Sequence, residues 1–129
     1  MNKKYNVIVT SAEKVPSNSV AAGTGTAMKV LIGSDQAPNF AMRKFIMEPG
    51  GGMPTHTNTV EHEQLVLRGC ATVGIGKDVY TVQRDDVVFI PAGVPHWYKA
   101  EGDEPFEFIC IVPNKRDHIA ILATQFTLP

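Results

Sequence analysis

Cysteine is scarce in this chain of 129 residues, and its scarcity excludes two classes of small protein. The two cysteines, Cys70 and Cys110, are widely separated and show no C-x-x-C spacing. Disulfide-rich secreted domains need several cysteine pairs, and zinc ribbons need closely spaced ones. We therefore expect both side chains to be free thiols.

The sequence also has no long hydrophobic run and no excess of either charge. Apolar stretches such as Val87–Ile90 are far shorter than the roughly 20 residues of a membrane-spanning helix. Residues 7–9 are too few for the core of a signal peptide. Lys and Arg number 12 and Asp and Glu number 13, so no basic surface for nucleic acid is indicated. We expect a cytoplasmic protein with no membrane or nucleic-acid partner.

Helical periodicity is scarce as well, whereas short β-branched and aromatic runs separated by Gly, Pro, Asn or Asp recur along the chain. This pattern predicts an all-β protein, and many short strands without a clear helix favour a jelly roll. Predicted strands cover residues 5–10, 28–32, 40–48, 62–68, 71–75, 79–82, 87–90, 96–100 and 106–112, and a Gly-rich turn is predicted at 49–52.

The length fits one domain over residues 1–129. We expect a barrel core at about 28–113, an N-terminal arm at 1–27 that is irregular over 11–26, and a tail at 114–129. The tail is too apolar for a free terminus, so it should pack on its own barrel or on a neighbouring subunit. Together with the N-terminal strand, it suggests a homodimer that covers exposed sheet edges. Its apolar residues are Ile119, Ile121, Leu122, Phe126 and Leu128.

Three of the four histidines fall in two short blocks, each beside a predicted strand. His56 and His62 lie in the first block, after the Gly-rich turn, and His96 lies in the second. Neutral imidazoles gathered inside a β-barrel hold divalent first-row metals. The three histidines therefore predict a metal site. The fourth, His118, is expected on the surface.

The spacing of these blocks resembles the two motifs of the cupin superfamily. The second motif appears as Pro91-x-Gly93-x-x-His96. Cupins are double-stranded β-helix, or jelly-roll, barrels whose two motifs together carry a metal, and small bacterial members bind manganese with four histidines. His62 stands where most cupins have glutamate and where that subgroup has histidine. The first motif is carried by Gly50, His56, Asn58, His62 and Gly69.

Three positions depart from the motifs. Asn58 replaces the second histidine of the first motif, and in the second motif Asp85 replaces the glycine and Ala100 the asparagine. Asp85 is a competent turn residue. Asn58 is either a fourth, weaker ligand or a group that hydrogen-bonds beside the ligands. The resemblance implies a divalent ion, with Mn or Fe expected first and Ni, Zn and Cu as alternatives.

Alternation along strands adds further residues to the predicted cavity, because residues two apart share a face. His62 shares its face with Gln64, a candidate ligand or substrate contact, and His96 shares its face with Tyr98. One parity of the strand at 40–48 places Arg43 inside, where it would suit an anionic substrate, and the other places it on the surface. The predicted pocket wall consists of Met53, Phe108 and Cys110.

Three neutral histidines leave the charge of a metal uncompensated and several coordination positions open. This favours a small oxidoreductase of dioxygenase type that acts on a small organic substrate, with Tyr98, Gln64 and Arg43 as candidate catalytic residues. Arg43 or Gln64 would orient the substrate, and Tyr98 would shape the pocket. A metal-dependent isomerase or lyase is an alternative, because the same Lewis acid would polarise a carbonyl. A non-catalytic module that binds a small molecule or the metal alone is the alternative from another class.

Overall fold

The computed structural model describes residues 6–122 and shows an antiparallel all-β barrel with one short 3₁₀ helix, Ala12–Lys14. β-branched and aromatic runs between Gly, Pro and Asp form the strands. The predicted all-β jelly roll is thereby confirmed. The strands of the described residues are β1 (Asn18–Ser19), β2 (Thr24–Ile32), β3 (Phe40–Thr57), β4 (His62–Arg68), β5 (Cys70–Ile75), β6 (Asp78–Gln83), β7 (Val87–Ile90), β8 (His96–Glu101), β9 (Phe106–Pro113) and β10 (Ala120–Ile121).

The long strand β3 organises the barrel because its two halves pair with different neighbours. Residues 40–47 pair with β9, whereas residues 52–56 pair with β8 and set His56 opposite His96. The order of the sheet is β6-β5-β8-β3-β9-β4-β7, with β2 and β10 also paired to β3. This order brings the strands of both histidine blocks around one interior.

The predicted turn at residues 49–52 is wrong, because β3 continues through it without reversing. Gly50 has a φ of +82°, and the register between β2 and β3 shifts here, so the glycines form a bulge in a continuous strand. At Gly52 the backbone passes so close to β8 that a Cβ would collide with the carbonyl oxygen of Tyr98. The glycines therefore allow β3 to bulge and to pass close to β8, and they do not reverse the chain.

Asp85 lies in a left-handed turn between β6 and β7, with a φ of +73°. Its N–H donates a hydrogen bond of 2.9 Å to the carbonyl oxygen of Val66. Asp enters this backbone region more readily than most residues with a side chain. The replacement of the motif's glycine therefore preserves the turn.

The core lies inside the curled sheet. It is formed by side chains that alternate along the strands between the interior and the surface. On β8 and β9 every second residue is buried, beginning with His96 and Phe106, and on β4 the same alternation runs from His62 to Val66. Burial of this kind is the main stabilising contribution to such a barrel. The buried hydrophobic residues are Ala41, Met47, Val60, Val66, Ala71, Val73, Val82, Ile90, Tyr98, Ala100, Phe106, Phe108, Cys110 and Val112.

The predicted N-terminal strand at 5–10 is wrong over its described part, because residues 6–10 form no strand. Val7 and Val9 are 78% and 91% exposed, so their β propensity finds no partner strand. The arm at 11–26 is more ordered than predicted, since it contains the 3₁₀ helix, β1 and the start of β2. Among residues 6–122, no helix is long and apolar enough to cross a membrane.

The tail packs on its own barrel as far as the structure describes it. Ala120 pairs with Thr57 and Ile121 with His56, and the N–H of Leu122 donates to the carbonyl oxygen of Thr55 at 2.8 Å. β10 thus extends the sheet beside the histidine-bearing end of β3. The predicted packing residues Phe126 and Leu128 lie outside the described residues.

Candidate metal centre

The barrel encloses a cavity of about 180 Å³. Val20 of the arm and Ile119 of the tail line it, so the segments before and after the barrel core both contribute to its wall. All ten side chains that the sequence predicts for the site border this one cavity. They are Arg43, Met53, His56, Asn58, His62, Gln64, His96, Tyr98, Phe108 and Cys110.

His56 and His96 are held by the same local device. The Nδ1 atom of each lies 2.9 Å from the carbonyl oxygen two residues earlier, that of Pro54 for His56 and that of Val94 for His96. A carbonyl only accepts hydrogen bonds, so each Nδ1 carries the proton and each Nε2 keeps its lone pair. Both rings are therefore fixed in the tautomer that ligates a metal through Nε2.

His62 approaches from β4 and contacts a thiol instead of a carbonyl. Its Nδ1 lies 3.1 Å from the Sγ of Cys110. Its Nε2 is buried and has no hydrogen-bond partner. A buried nitrogen without a partner is costly unless something else satisfies it. A metal ion is one such partner.

Burial keeps all three imidazoles neutral. Desolvation lowers the pKa of His62 to about 3, with Arg43 adding to the shift, and lowers the pKa of His96 to about 4. Burial also lowers the pKa of His56, against smaller opposing effects of its hydrogen bond and of Asp117. Neutral imidazole is the form that binds metals, so these rings are ready ligands at neutral pH.

Asn58 presents an oxygen to the same region. Its Nδ2 donates a hydrogen bond of 2.8 Å to the Oδ2 of Asp117, while its Oδ1 is buried without a partner. The carboxamide oxygen and the His62 Nε2 are thus two buried polar atoms without a partner beside two imidazoles with free lone pairs. Such a donor set fits a divalent first-row metal.

The histidine rings are close neighbours but are not closed around a point. The ring centroid of His96 lies 4.2 Å from that of His56 and 5.6 Å from that of His62. Across residues 6–122, no group of three His, Cys, Asp or Glu side chains stands in a ready metal-holding arrangement.

Arg43 is the single formally charged side chain among the described residues that line the cavity. Its Nε is buried without a partner, one terminal nitrogen lies 3.6 Å from the Sγ of Cys110, and its guanidinium lies 5.3 Å from the centre of the Phe45 ring. The ring faces the cation and the thiol accepts weakly, but neither neutralises the charge. The cavity is therefore suited to an anion.

Gln64 and Tyr98 form a hydrogen-bonded pair on the wall. The Nε2 of Gln64 donates to the Tyr98 hydroxyl at 2.7 Å. Burial raises the pKa of Tyr98, so the hydroxyl keeps its proton and remains a donor. The Tyr98 ring stacks on Phe108 at 5.3 Å, and Phe108 stacks on Phe45 at 5.1 Å. The aromatic stack fixes the direction of the hydroxyl.

Sequence reasoning missed Asp117 and some of the cavity-lining apolar residues outside the motifs. Asp117 follows Lys115 and Arg116 and looks like part of a solvated charged turn. No spacing rule links it to Asn58, because the contact depends on how the tail folds back over β3. The missed apolar lining residues are Val20, Met28 and Ile119, whereas Phe45 and Met47 share the inward parity that places Arg43 inside.

Residues 43–112 match the sequence model of the cupin domain family, which is more than half of the chain. The chain therefore belongs to the cupin family, as its two motifs predict. A cupin 2 domain-containing protein from Halorhodospira halophila is 32% identical, with a TM-score of 0.73 over 78% of this chain and 72% of that one.

Two other relatives carry named activities. The polyketide cyclase RemF from Streptomyces resistomycificus has a TM-score of 0.83 and 23% identity over 90% of this chain and 85% of its own. The 1-methylthio-D-xylulose 5-phosphate methylsulfurylase of Rhodospirillum rubrum is 32% identical over 76 residues, or 59% of this chain and 49% of its own. This chain therefore spans about half the length of that curated relative. The fold is thus shared with a protein named as a cyclase, and part of the chain is similar in sequence to a protein named as a methylsulfurylase.

Proposed function

We propose that the protein is a metal-dependent cupin enzyme of dioxygenase type that acts on a small organic anion. One observation carries the proposal: neutral nitrogen and oxygen donors surround a cavity whose single formally charged lining residue, among those described, is Arg43. Neutral ligands leave the charge of a divalent ion uncompensated and leave positions for substrate. His56, His62 and His96 would hold the ion, with Asn58 as the oxygen ligand.

The substrate is small and carries an anionic or enolisable oxygen group. A cavity of about 180 Å³ is below the roughly 300–1,000 Å³ of pockets that hold drug-sized ligands. Arg43 would bind the anionic group, and Met53 and Phe108 would pack against the carbon skeleton. Short 1,3-diketones and small keto acids match these dimensions and charges.

When bound, an iron or manganese ion would supply Lewis acidity and an electron route to dioxygen. The residues supply orientation and exclusion of water. Tyr98 accepts from Gln64, so its own O–H is free to donate to a substrate oxygen that gains negative charge. Cys110 is a poor base because burial raises its pKa and keeps the thiol protonated. The described cavity therefore favours metal-centred chemistry over proton abstraction by a side chain.

The Tyr98 hydroxyl also supports a second reaction class, isomerisation or lyase chemistry without oxygen. Such a donor stabilises an enolate oxygen. Two relatives named above are a cyclase and a methylsulfurylase. Comparing turnover with and without oxygen therefore distinguishes a dioxygenase from an isomerase or lyase.

The test uses protein freed of metal, reloaded with Fe(II) or Mn(II), and offered a panel of short diketones and keto acids with and without oxygen. Oxygen uptake that matches substrate loss supports a dioxygenase. Turnover that persists without oxygen supports the isomerase or lyase class. Stoichiometric binding without turnover across the panel overturns the enzyme and favours the binding module. His96→Ala serves as the metal-site control, and retention of metal by it would contradict the proposed site.

We propose, in addition, that the protein is a cytoplasmic homodimer. Both cysteines are free in the structure, which agrees with a reducing compartment. Strands β4 and β7 expose apolar side chains on their outer face, where Leu65 lies opposite Val87. Exposed apolar patches of this kind commonly mark protein interfaces. This face replaces the N-terminal strand as the basis for the dimer.

A further inference from the structure

We infer that Asp117, on the tail, is a positioning residue that orients Asn58 as an oxygen ligand. The inference rests on the proposed metal site. Asp117 lies outside both motifs, and its carboxylate touches none of the histidines by hydrogen bond. It acts through the side-chain amide of Asn58.

The hydrogen bond between the two residues fixes which end of the amide faces the cavity. An ionised carboxylate only accepts, so the group that faces Asp117 must be the NH2 of Asn58, at 2.8 Å. The amide oxygen must then face the other way, and it is buried there with no partner. Without Asp117 the amide would be free to turn its NH2 toward the cavity, and an NH2 group cannot bind a metal ion.

The carboxylate is itself held in place, which makes the orientation rigid. Its Oδ1 accepts from the backbone N–H of Thr59 at 2.9 Å. The Oγ1 of Thr59 in turn accepts from the N–H of His118 at 2.8 Å. β10 pairs with β3 at Thr57 and His56, so the tail is fastened on both sides of Asn58. A partner outside the ligand shell that fixes a ligand in this way commonly changes metal affinity 10–100-fold when it is removed.

The chain offers a substitution that separates orientation from anchoring of the tail. In Asp117→Asn the new amide oxygen still accepts from the Thr59 N–H, and its NH2 then faces Asn58. Two NH2 groups cannot face each other, so Asn58 must turn and present its NH2 to the cavity. We expect Co²⁺ to bind metal-free Asp117→Asn roughly 10–100-fold more weakly than wild type, with an altered visible absorption spectrum and an unchanged unfolding midpoint of the metal-free protein.

Two further variants make the assignment specific. In Asn58→Ala/Asp117→Asn the second substitution should add no further loss beyond Asn58→Ala alone, because a residue that acts through Asn58 has nothing left to orient. In Asn58→Asp/Asp117→Asn the donor and acceptor are exchanged, so the hydrogen bond re-forms and an oxygen again faces the cavity. We expect this exchange to restore Co²⁺ binding to at least the wild-type level.

The experiment is a Co²⁺ titration of each metal-free protein, followed by absorption spectroscopy and by competition with a chelator. Unchanged affinity and spectrum in Asp117→Asn, equal losses with and without Asn58, or failure of the exchange variant would overturn the inference. In any of these cases, wild-type binding that His96→Ala abolishes would leave the proposed metal centre standing. Absence of stoichiometric Co²⁺ binding in wild type would overturn both.

Discussion

His62 and Cys110 meet inside the barrel, with the Nδ1 of the histidine 3.1 Å from the sulfur. Both side chains are buried, and the two strands that carry them pair directly, with Gln64 opposite Cys110. The thiol is the one hydrogen-bonding contact of the His62 ring among the described residues, whereas His56 and His96 are held by carbonyl oxygens. Cys110 therefore fixes the direction in which the His62 Nε2 points.

Cys110→Ala is predicted to weaken metal binding by about tenfold, since loss of a group that orients a ligand costs roughly 10–100-fold. The His62 Nδ1 loses its partner and the ring becomes free to rotate. Cys110→Ser keeps a group that accepts from Nδ1 and should retain most of the affinity. Chelator competition with Mn²⁺ or Co²⁺ measures the change.

The matched control is Cys70→Ala, because Cys70 is a half-buried thiol that does not line the cavity. It should bind metal as wild type does. Equal affinities for wild type and Cys110→Ala would show that the contact does not position His62.

The metal-free protein is predicted to lose stability as the pH falls below about 6.5. The pKa values of His62 and His96 are lowered to about 3 and about 4, below their ordinary value of 6.5. At pH values between the lowered pKa and 6.5, each histidine is protonated in the unfolded chain but not in the folded one. The free energy of unfolding therefore decreases as the pH falls through this range. Each such histidine contributes roughly 1.4 kcal/mol per pH unit in that window. Urea unfolding between pH 7.5 and 5 measures the slope.

In His96→Gln the slope of the unfolding free energy against pH should be shallower by the contribution of about one proton, because the variant lacks one histidine that is protonated only in the unfolded chain. His118→Gln is the matched control, because it removes an exposed imidazole that does not line the cavity. A slope that is identical in wild type and His96→Gln would contradict a neutral, buried His96.

Local sequence patterns predicted the parts of this molecule that depend on strand alternation and turn residues. The positions of His62, Gln64 and Val66 on one face of β4 follow from a period of two, which burial of one face enforces. The Gly-rich segment at 49–52 misled the turn prediction, since glycine serves a bulge and close strand contact as well as a chain reversal.

Long-range contacts were the part that the sequence did not reveal. Asp117 contacts Asn58 across 59 positions of sequence, and neither residue carries a local signal of the other. The N-terminal run at 5–10 has the composition of a strand, but over its described part it finds no partner. Propensity identifies segments that are able to pair, and the tertiary fold decides which of them do.

Val87→Lys is predicted to shift the protein toward monomer if the outer face of β4 and β7 forms the proposed dimer. Val87 is 77% exposed on this face and lies opposite Leu65. A lysine at this position would place a charge in an apolar contact, which is unfavourable without a partner. Sedimentation velocity at micromolar concentration measures the change. Val79→Lys, on the separate strand β6, is the control, and a wild-type monomer would contradict the dimer itself.

Arg43→Gln is predicted to weaken binding of small carboxylates at the cavity by at least about tenfold, because a hydrogen bond to a charged group contributes roughly 1.5–3 kcal/mol. Among the described residues that line the cavity, Arg43 is the one with a formal charge. Its Nε has no hydrogen-bond partner, so binding an anion there would break no existing hydrogen bond of that atom. Lys44→Gln is the matched control, since the adjacent Lys44 forms a 3.0 Å ion pair with Glu107 and does not line the cavity. Isothermal titration of metal-free protein with a keto acid separates this effect from metal binding. Equal affinities in wild type and Arg43→Gln would show that Arg43 does not bind the anion, and the proposed substrate class would lose its basis.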